Sequence, residues 1–445
     1  MKINKTLIIS SMITAGIIAA CSDGTIGSTE ITKWQDGKNG AVSITYDDGT
    51  INQFRVAVPI MNRLGIPGTF YINTGTLPGS TYTGRFIGRP VSEIIEETKT
   101  VPTNAENFFE RASAIRFSGY RGTGNFFTRA GAALESGRME QAIEIINDAY
   151  ARIVDGEFEP ETPRTEGGQG GNRSNVLTWD MVRTHAAEGH EFASHMVTHP
   201  YMGALDDENM MFELEKSREE ILNQVGLRHT FTAELPYGTQ DNRALEAALN
   251  IYATTRNRLA LDYVAELHRP DRRSPVMPEY EYVFWERGII TRTTMEEMNG
   301  WVDITAENDN IWLVTVLHGI DGIGWESITG QTADEHFSYI RSREKDLWVA
   351  TFADASRYIL LRMNSTIKSS QFGGTINVTV SHPFDDKELY ELPLTFKTYV
   401  NPKWNEVRVT QGNSETRHAV QREGSDAYVM YQAMPGKEKI KIRKI

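Results

Sequence analysis

Ala41-Val42-Ser43-Ile44-Thr45-Tyr46-Asp47-Asp48-Gly49 is the stretch whose reading decides the fold. Its first four residues are an apolar run that reads as a buried strand. Beyond Gly49, the residues Phe54, Ala57, Val58, Met61 and Leu64 recur at helical spacing, and Gly65 stops that helix. Two adjacent carboxylates therefore sit on a strand-to-helix turn. In α/β folds that end of the sheet is where sites are built. Taken alone, the same turn is equally an ordinary connection with Asp as helix N-cap. The rest of the chain decides between the two.

The alternation continues outward. Gly68 to Asn73 reads as a second strand, and Thr178 caps a helix that runs to Gly189. Strand His190 to Ala193, a long helix over Asp206 to Val225 and strand Phe231 to Leu235 follow. Next come a helix over Arg243 to Asn250 and strand Ile251 to Arg256. Residues 266–288 look irregular, being rich in Pro and Arg, before a strand at Ile289 to Thr291. Ile311 to Leu317 is a hydrophobic strand, and helix Ala333 to Arg343, strand Leu347 to Phe352 and helix Ala353 to Leu361 complete the series. Strands alternating with helices predict a mostly parallel sheet closed into an irregular barrel.

Residues 76–175 interrupt the pattern and read as an insertion. A helix at Pro90 to Thr98 and a strong amphipathic helix from Met139 to Ile153 are expected in it. Glu166-Gly167-Gly168-Gln169-Gly170-Gly171 is a flexible loop without the Gly-Lys-Ser/Thr of a phosphate loop. The insertion serves either as packing or as a wall or lid of the cleft. From about Asn364 short alternating runs between Gly, Pro, Asn and Asp predict a small all-β sandwich. The boundaries expected are a catalytic domain over residues 39–362 and a β domain over residues 363–445.

With 445 residues and 40% apolar content, two packed domains are expected. A net charge of −13 argues against nucleic acid as a partner. Residues 1–20 read as a signal segment, with Lys2 and Lys5 ahead of an apolar run from Leu7 to Ala20 that is short for a membrane span. The run ends Ile18-Ala19-Ala20-Cys21, at the only cysteine in the chain. This resembles a bacterial lipobox, which implies lipidation of Cys21 and a membrane anchor, with residues 21–38 as a polar tether. Ser22 rather than Asp follows the cysteine, which by the same resemblance favours the outer membrane of the cell envelope.

Four signals fall at C-terminal ends of predicted strands: Asp47-Asp48, the pair His195 and His199, Pro236-Tyr237-Gly238, and Leu317-His318. Four-residue spacing puts the two imidazoles on one side of a helical turn, where they can share a metal. Each signal alone has an ordinary structural reading. Together, one Asp and two His make a three-ligand set that leaves room for water. Asp47 is then placed to take a proton, and His318 to protonate a leaving group. Trp325 is either a wall of the site or a packing aromatic.

In this order the motifs resemble the NodB-homology polysaccharide deacetylases, carbohydrate esterase family 4. Thr45-Tyr46-Asp47-Asp48-Gly49 matches the family's Thr-Phe-Asp-Asp-Gly with Tyr for Phe, and His195 to His199 matches its His-Ser/Thr-x-x-His with Met196 in second place. Pro236-Tyr237-Gly238 ends its Arg-x-Pro-Tyr-Gly motif, and Leu317-His318 matches its Leu-His motif. The resemblance covers about residues 34–362, with the insertion unmatched. It implies a distorted (β/α) barrel, Asp47 as base, His318 as acid, and a divalent ion, usually zinc, on Asp48, His195 and His199. It further implies that the backbone N–H of Tyr237 helps hold the oxyanion, and that the partner is an acetylated glycan. Two departures stand out. Glu234 occupies the position of the Arg that orients the base, and no clear Asp-x-x-Asp-Trp motif is present. Arg256, ending the next strand, is the candidate replacement, with Glu234 expected to face away or pair elsewhere. Two other readings stay open: a degenerate glycan-binding lipoprotein, and a metal-dependent hydrolase of a different carbon–nitrogen bond.

Overall fold

The structure is a computed structural model and describes residues 24–161 and 176–445. Cys21, with the expected signal segment, and the glycine loop at 166–171 lie outside the described residues.

Among the described residues, ten strands precede the C-terminal β layer. They are β1 (Thr29–Ile31), β2 (Gly40–Tyr46), β3 (Thr69–Ile72), β4 (Glu191–Ser194), β5 (Thr232–Ala233), β6 (Thr254–Thr255), β7 (Val264–Leu267), β8 (Tyr282–Gly288), β9 (Ile311–Leu317) and β10 (Leu347–Val349). The parallel sheet runs β6-β5-β4-β3-β2-β9-β8-β7, with β10 pairing the start of β2. All of β2 is buried, as expected of a central parallel strand covered on both faces. The sheet curls but stays open: among the described residues no ladder joins β6 to β7. The closed barrel expected from the alternation is thus an open one. Beyond Gly49, a π turn at Gln53–Ala57 leads into α1 (Val58–Leu64), and Gly65 ends it at φ 66°. Pro59, with no N–H to return to the turn before it, sits where the two join.

Two strand expectations need correction. Residues 266–288 are irregular only between Leu267 and Tyr282, and Ile289 to Thr291 is not the strand. Tyr282-Val283-Phe284-Trp285 starts β8, and these four bulky residues are buried. The Pro and Arg content belongs to the loop between β7 and β8.

The interruption between β3 and β4 forms α2 (Val91–Thr98), α3 (Phe108–Arg116), α4 (Thr123–Glu135) and α5 (Met139–Val154). The sequence pattern missed α3 and α4, where small residues and Gly124 and Gly131 blur the periodicity. Phe108, Phe127, Ile146 and Tyr150 of this cluster share a core with Met196, Met202, Met210 and Leu214. The remaining helices are α6 (Trp179–Ala187), α7 (Asp207–Val225), α8 (Asn242–Leu249), α9 (Met295–Glu307), α10 (Gly330–Ser342) and α11 (Phe352–Asn364). Among the described residues, no helix is long and apolar enough to cross a membrane.

The C-terminal strands are β11 (Thr366–Phe372), β12 (Thr375–Ser381), β13 (Leu394–Tyr399), β14 (Glu406–Gln411), β15 (Ser414–Ala419), β16 (Gln421–Glu423), β17 (Asp426–Ala433) and β18 (Ile440–Lys444). They form two sheets, β1-β13-β17-β16 and β11-β12-β18-β14-β15, around one core with Phe396, Val407, Val429 and Ile442. The strands that escaped the sequence pattern, β11, β15 and β16, lie at sheet edges and are polar and largely exposed. Polar edges of this kind discourage pairing with other chains.

The expected tether also needs correction. Thr29–Ile31 is an antiparallel edge strand on β13, not a free linker. Trp34 is fully buried, donates from Nε1 to the Asp309 carbonyl at 2.8 Å, and meets Tyr282 edge-on at 4.9 Å. The segment therefore packs against both the sandwich and the parallel sheet. Trp34→Ala should cost ~3–5 kcal/mol, read as a lower denaturation midpoint; an unchanged midpoint would contradict this packing.

Candidate active site

The C-terminal ends of β2, β4, β5, β6, β8 and β9 meet at a cavity of about 890 Å³. Asp47 and Asp48 leave β2 in a turn where Asp48 has φ 73° and Gly49 φ 68°. A left-handed non-glycine residue is costly and aims its side chain differently from its neighbour. Asp47 consequently lies in the buried interior of the site, while Asp48 remains partly exposed.

His195 and His199 follow β4. They do not sit on a helical turn as their spacing suggests. Met196 and His199 adopt φ 68° and 57°, so the segment folds as irregular turns. The buried Glu213 carboxylate on α7 holds it, accepting from the N–H groups of Val197 and Thr198 at 2.8 and 2.9 Å. Arg116 of α3 donates to the Thr198 carbonyl at 2.5 Å, so the helical insertion braces the histidine turn. Asp48 Oδ1 lies 3.8 Å from His195 Nε2 and 3.4 Å from His199 Nε2.

The three side chains fit a divalent cation. One ligand atom from each falls within 4.8 Å of the others. His195 Nδ1 bonds the Glu234 carbonyl at 2.8 Å, which puts the proton there and leaves the Nε2 lone pair facing Asp48. Burial foremost pushes His195 down to about 3 and His199 to about 4, so both rings are neutral. Burial, and then Asp47, pushes Asp48 up to about 6. Three acceptors converging without a hydrogen between them is a site short of positive charge.

Asp47 is organised differently. Arg256 forks onto its carboxylate, Nη1 to Oδ1 at 2.8 Å and Nη2 to Oδ2 at 2.6 Å. Nη1 also donates to Thr45 Oγ1 at 2.8 Å. Burial alone would raise the Asp47 carboxyl, but Arg256, followed by His318 and His195, holds it well below the carboxylate range. The expectation that Glu234 faces away does not hold. It points inward, 3.1 Å from Arg256 Nη2, and burial foremost pushes it up to about 8. A protonated Glu234 does not repel Asp47.

His318 Nε2 lies 3.4 Å from Asp47 Oδ2, and its ring meets Trp325 edge-on at 4.8 Å. Its buried Nδ1 has no hydrogen-bond partner among the described residues. Burial lowers its pKa. Pro236 starts the turn in which Tyr237 has φ 63°, and the Tyr237 ring stacks on Tyr201 at 3.7 Å. Trp325 is 58% exposed, so it lines the cavity and is not a core aromatic.

Sequence reasoning missed Glu213, Glu286, His268 and Arg269. Glu286 closes the cluster, with Arg256 and Arg269 each 3.4 Å from its Oε1. Burial opposes its ionisation, but Arg269 and His268 outweigh that and hold it at about 2. The signal was a carboxylate directly after the apolar run Tyr282–Trp285, and for Glu213 a carboxylate on the inward face of α7.

Residues 150–255 match the family model described as polysaccharide deacetylase. A gellan lyase from Bacillus sp is 23% identical over 329 residues, which is 66% of this chain; the chain spans 13% of the length of that curated relative. Among solved structures, the Xyl-CE4 domain of a multidomain xylanase from the hindgut metagenome of Trinervitermes trinervoides aligns with a TM-score of 0.32 and 13% identity, over 71% of this chain and 89% of that one. The chitin deacetylase of the fungal pathogen Colletotrichum lindemuthianum aligns with a TM-score of 0.33 and 13% identity, over 74% and 92%. The segment matched to the polysaccharide deacetylase model carries His195, His199, Pro236 and Tyr237.

Proposed function

We propose that this protein removes acetyl groups from a carbohydrate by metal-dependent hydrolysis. The observation that carries the reading is the Arg256–Asp47 fork beside the converging Asp48, His195 and His199. A divalent cation, zinc by family resemblance, would be held by those three side chains and would supply Lewis acidity for the acetyl carbonyl and for water. Asp47, kept ionised and oriented by Arg256, accepts the proton of the attacking water. By family resemblance, the backbone N–H of Tyr237 would help hold the developing oxyanion. His318 donates a proton to the departing sugar nitrogen or oxygen. Arg256, paired with Asp47 where Glu234 stands in the position of the family's arginine, supports an enzyme over a degenerate glycan binder. The match of residues 150–255 supports a carbohydrate as substrate.

Acetate release from a panel of acetylated glycans, with and without a chelator, tests the reading. His195→Ala should lose bound zinc, because one of three protein ligands is gone. Native zinc affinity in that variant by equilibrium dialysis would overturn the ligand assignment.

Arg256→Ala tests the base. Asp47 works ionised, so activity is lost as pH falls through its pKa. Without Arg256 that pKa rises, and the acidic limb of kcat/KM moves to higher pH. Activity should fall about tenfold or more. Arg256→Lys keeps a charge without the fork and should fall between. An unshifted limb at near-native kcat/KM in a folded variant would leave Asp47 oriented by another group.

We further propose a lipid anchor at Cys21, placing the enzyme at the cell envelope, in the outer membrane. The sequence Ile18-Ala19-Ala20-Cys21 supports it. Cys21→Ser should take up no fatty-acid label and should leave the membrane fraction; labelling like the wild type would refute it.

A further inference from the structure

Beside the catalytic cavity lies a second one of about 330 Å³. Arg269, His318 and Trp325 line both, so the two meet at the acid. Arg272, Arg287 and Arg292 line the second cavity as well. Four guanidinium groups in one cleft stand out on a chain of net charge −13.

Arg269 has Glu286 at 3.4 Å, but the other three arginines are short of carboxylates. Arg287 donates only to main-chain carbonyls, Asp271 at 3.4 Å and Arg269 at 3.1 Å. Arg272 and Arg292 are exposed and make no hydrogen bond or ion pair among the described residues. The nearby carboxylates are engaged elsewhere. Glu297 accepts from the Thr294 N–H at 2.9 Å and caps α9. Asp271 pairs with Arg273 at 2.7 Å, and Glu326 accepts from the Thr291 N–H at 3.1 Å. Burial, and then Arg272, holds the Arg287 pKa down. Like charges gathered without counter-charges repel one another, and an anion bound among them removes that cost.

The aromatic groups say what kind of anion. Trp301 lines the same cleft, with Arg287 5.7 Å from its ring centroid, and exposed Trp325 stands at the junction. A flat ring beside forked donors suits a sugar that bears an oxyanion. We propose that the substrate is an acidic glycan, whose anionic sugar sits in this arginine-lined cleft, next to the unit whose leaving atom His318 protonates. The chemistry done to the glycan rests on the deacetylase reading; the capture of an anionic sugar rests on the arginines and tryptophans alone. A uronate carboxylate and a sulfate ester share the recognised chemistry.

The test separates the two claims. Calorimetry on the full chain would compare hexasaccharides of galacturonate, of sulfated galactose and of neutral glucose. Acetate release from a small aryl acetate would be followed in parallel. An anionic hexamer should bind about tenfold or more tightly than the neutral one, with affinity falling as salt rises. The Arg272→Gln/Arg292→Gln variant, altered only at exposed positions, should lose that preference and keep the aryl acetate rate. Preference for the uronate identifies a carboxylate; preference for the sulfated hexamer identifies a sulfate ester. Equal binding of anionic and neutral hexamers, binding of none, or an unchanged preference in the double variant would overturn the proposal. Failure to release acetate from any ester would instead count against the deacetylase reading, whichever hexamer binds.

Discussion

Three buried carboxylates share one buried guanidinium, and the site depends on how that sharing is resolved. Arg256 is fully buried and reaches Asp47, Glu234 and Glu286. A buried charge that loses its partner costs ~3–5 kcal/mol, so none of these groups is independent. The structure separates them by environment. Asp47 takes both Nη atoms and stays ionised; Glu286 has Arg269 and His268 as further cations; Glu234 has a single 3.1 Å contact to Arg256 and holds its proton to about 8. Two ionised carboxylates and one neutral carboxyl thus surround Arg256 at neutral pH. The result is an ionised Asp47 carboxylate fixed in orientation, 3.4 Å from His318 Nε2.

Backbone strain at the rim is the second constraint. Asp48, Met196, His199 and Tyr237 all have positive φ, and all four belong to the site segments. None is a glycine, so each conformation is maintained by its surroundings. For the histidine turn the support is visible: Glu213 holds the backbone from one side and Arg116 from the other. Such support leaves little rearrangement to be done when substrate arrives.

Much of this was legible in the chain. A buried strand ending in two aspartates announced both the parallel sheet and the site, because continuous apolar runs and their termini are local signals. The reach of Arg256 was legible for a related reason: consecutive strands are usually neighbours, and it ends the strand after Glu234. What stayed hidden depends on contacts between distant residues. Left-handed turns at Met196 and His199 carry no glycine to mark them. Glu213 and Glu286 act from elements whose local pattern shows only a charge in an apolar setting. The edge strands β11 and β15 are polar because they are edges, so alternation could not reveal them. Likewise β1 has the composition of a linker and becomes a strand only because β13 offers it an edge.

One contact between the insertion and the cleft is especially close. Gly131 of α4 packs so tightly on Tyr201 that a β-carbon there would lie 2.5 Å from the ring. Tyr201 in turn stacks on Tyr237 at the mouth of the cavity. A glycine in the helical insertion therefore sets the position of an aromatic wall. A side chain larger than hydrogen at position 131 would displace Tyr201 and with it this wall. Through Arg116 the same insertion also holds the turn of His195 and His199, so the width of the mouth and the placing of the two imidazoles rest on one piece of chain.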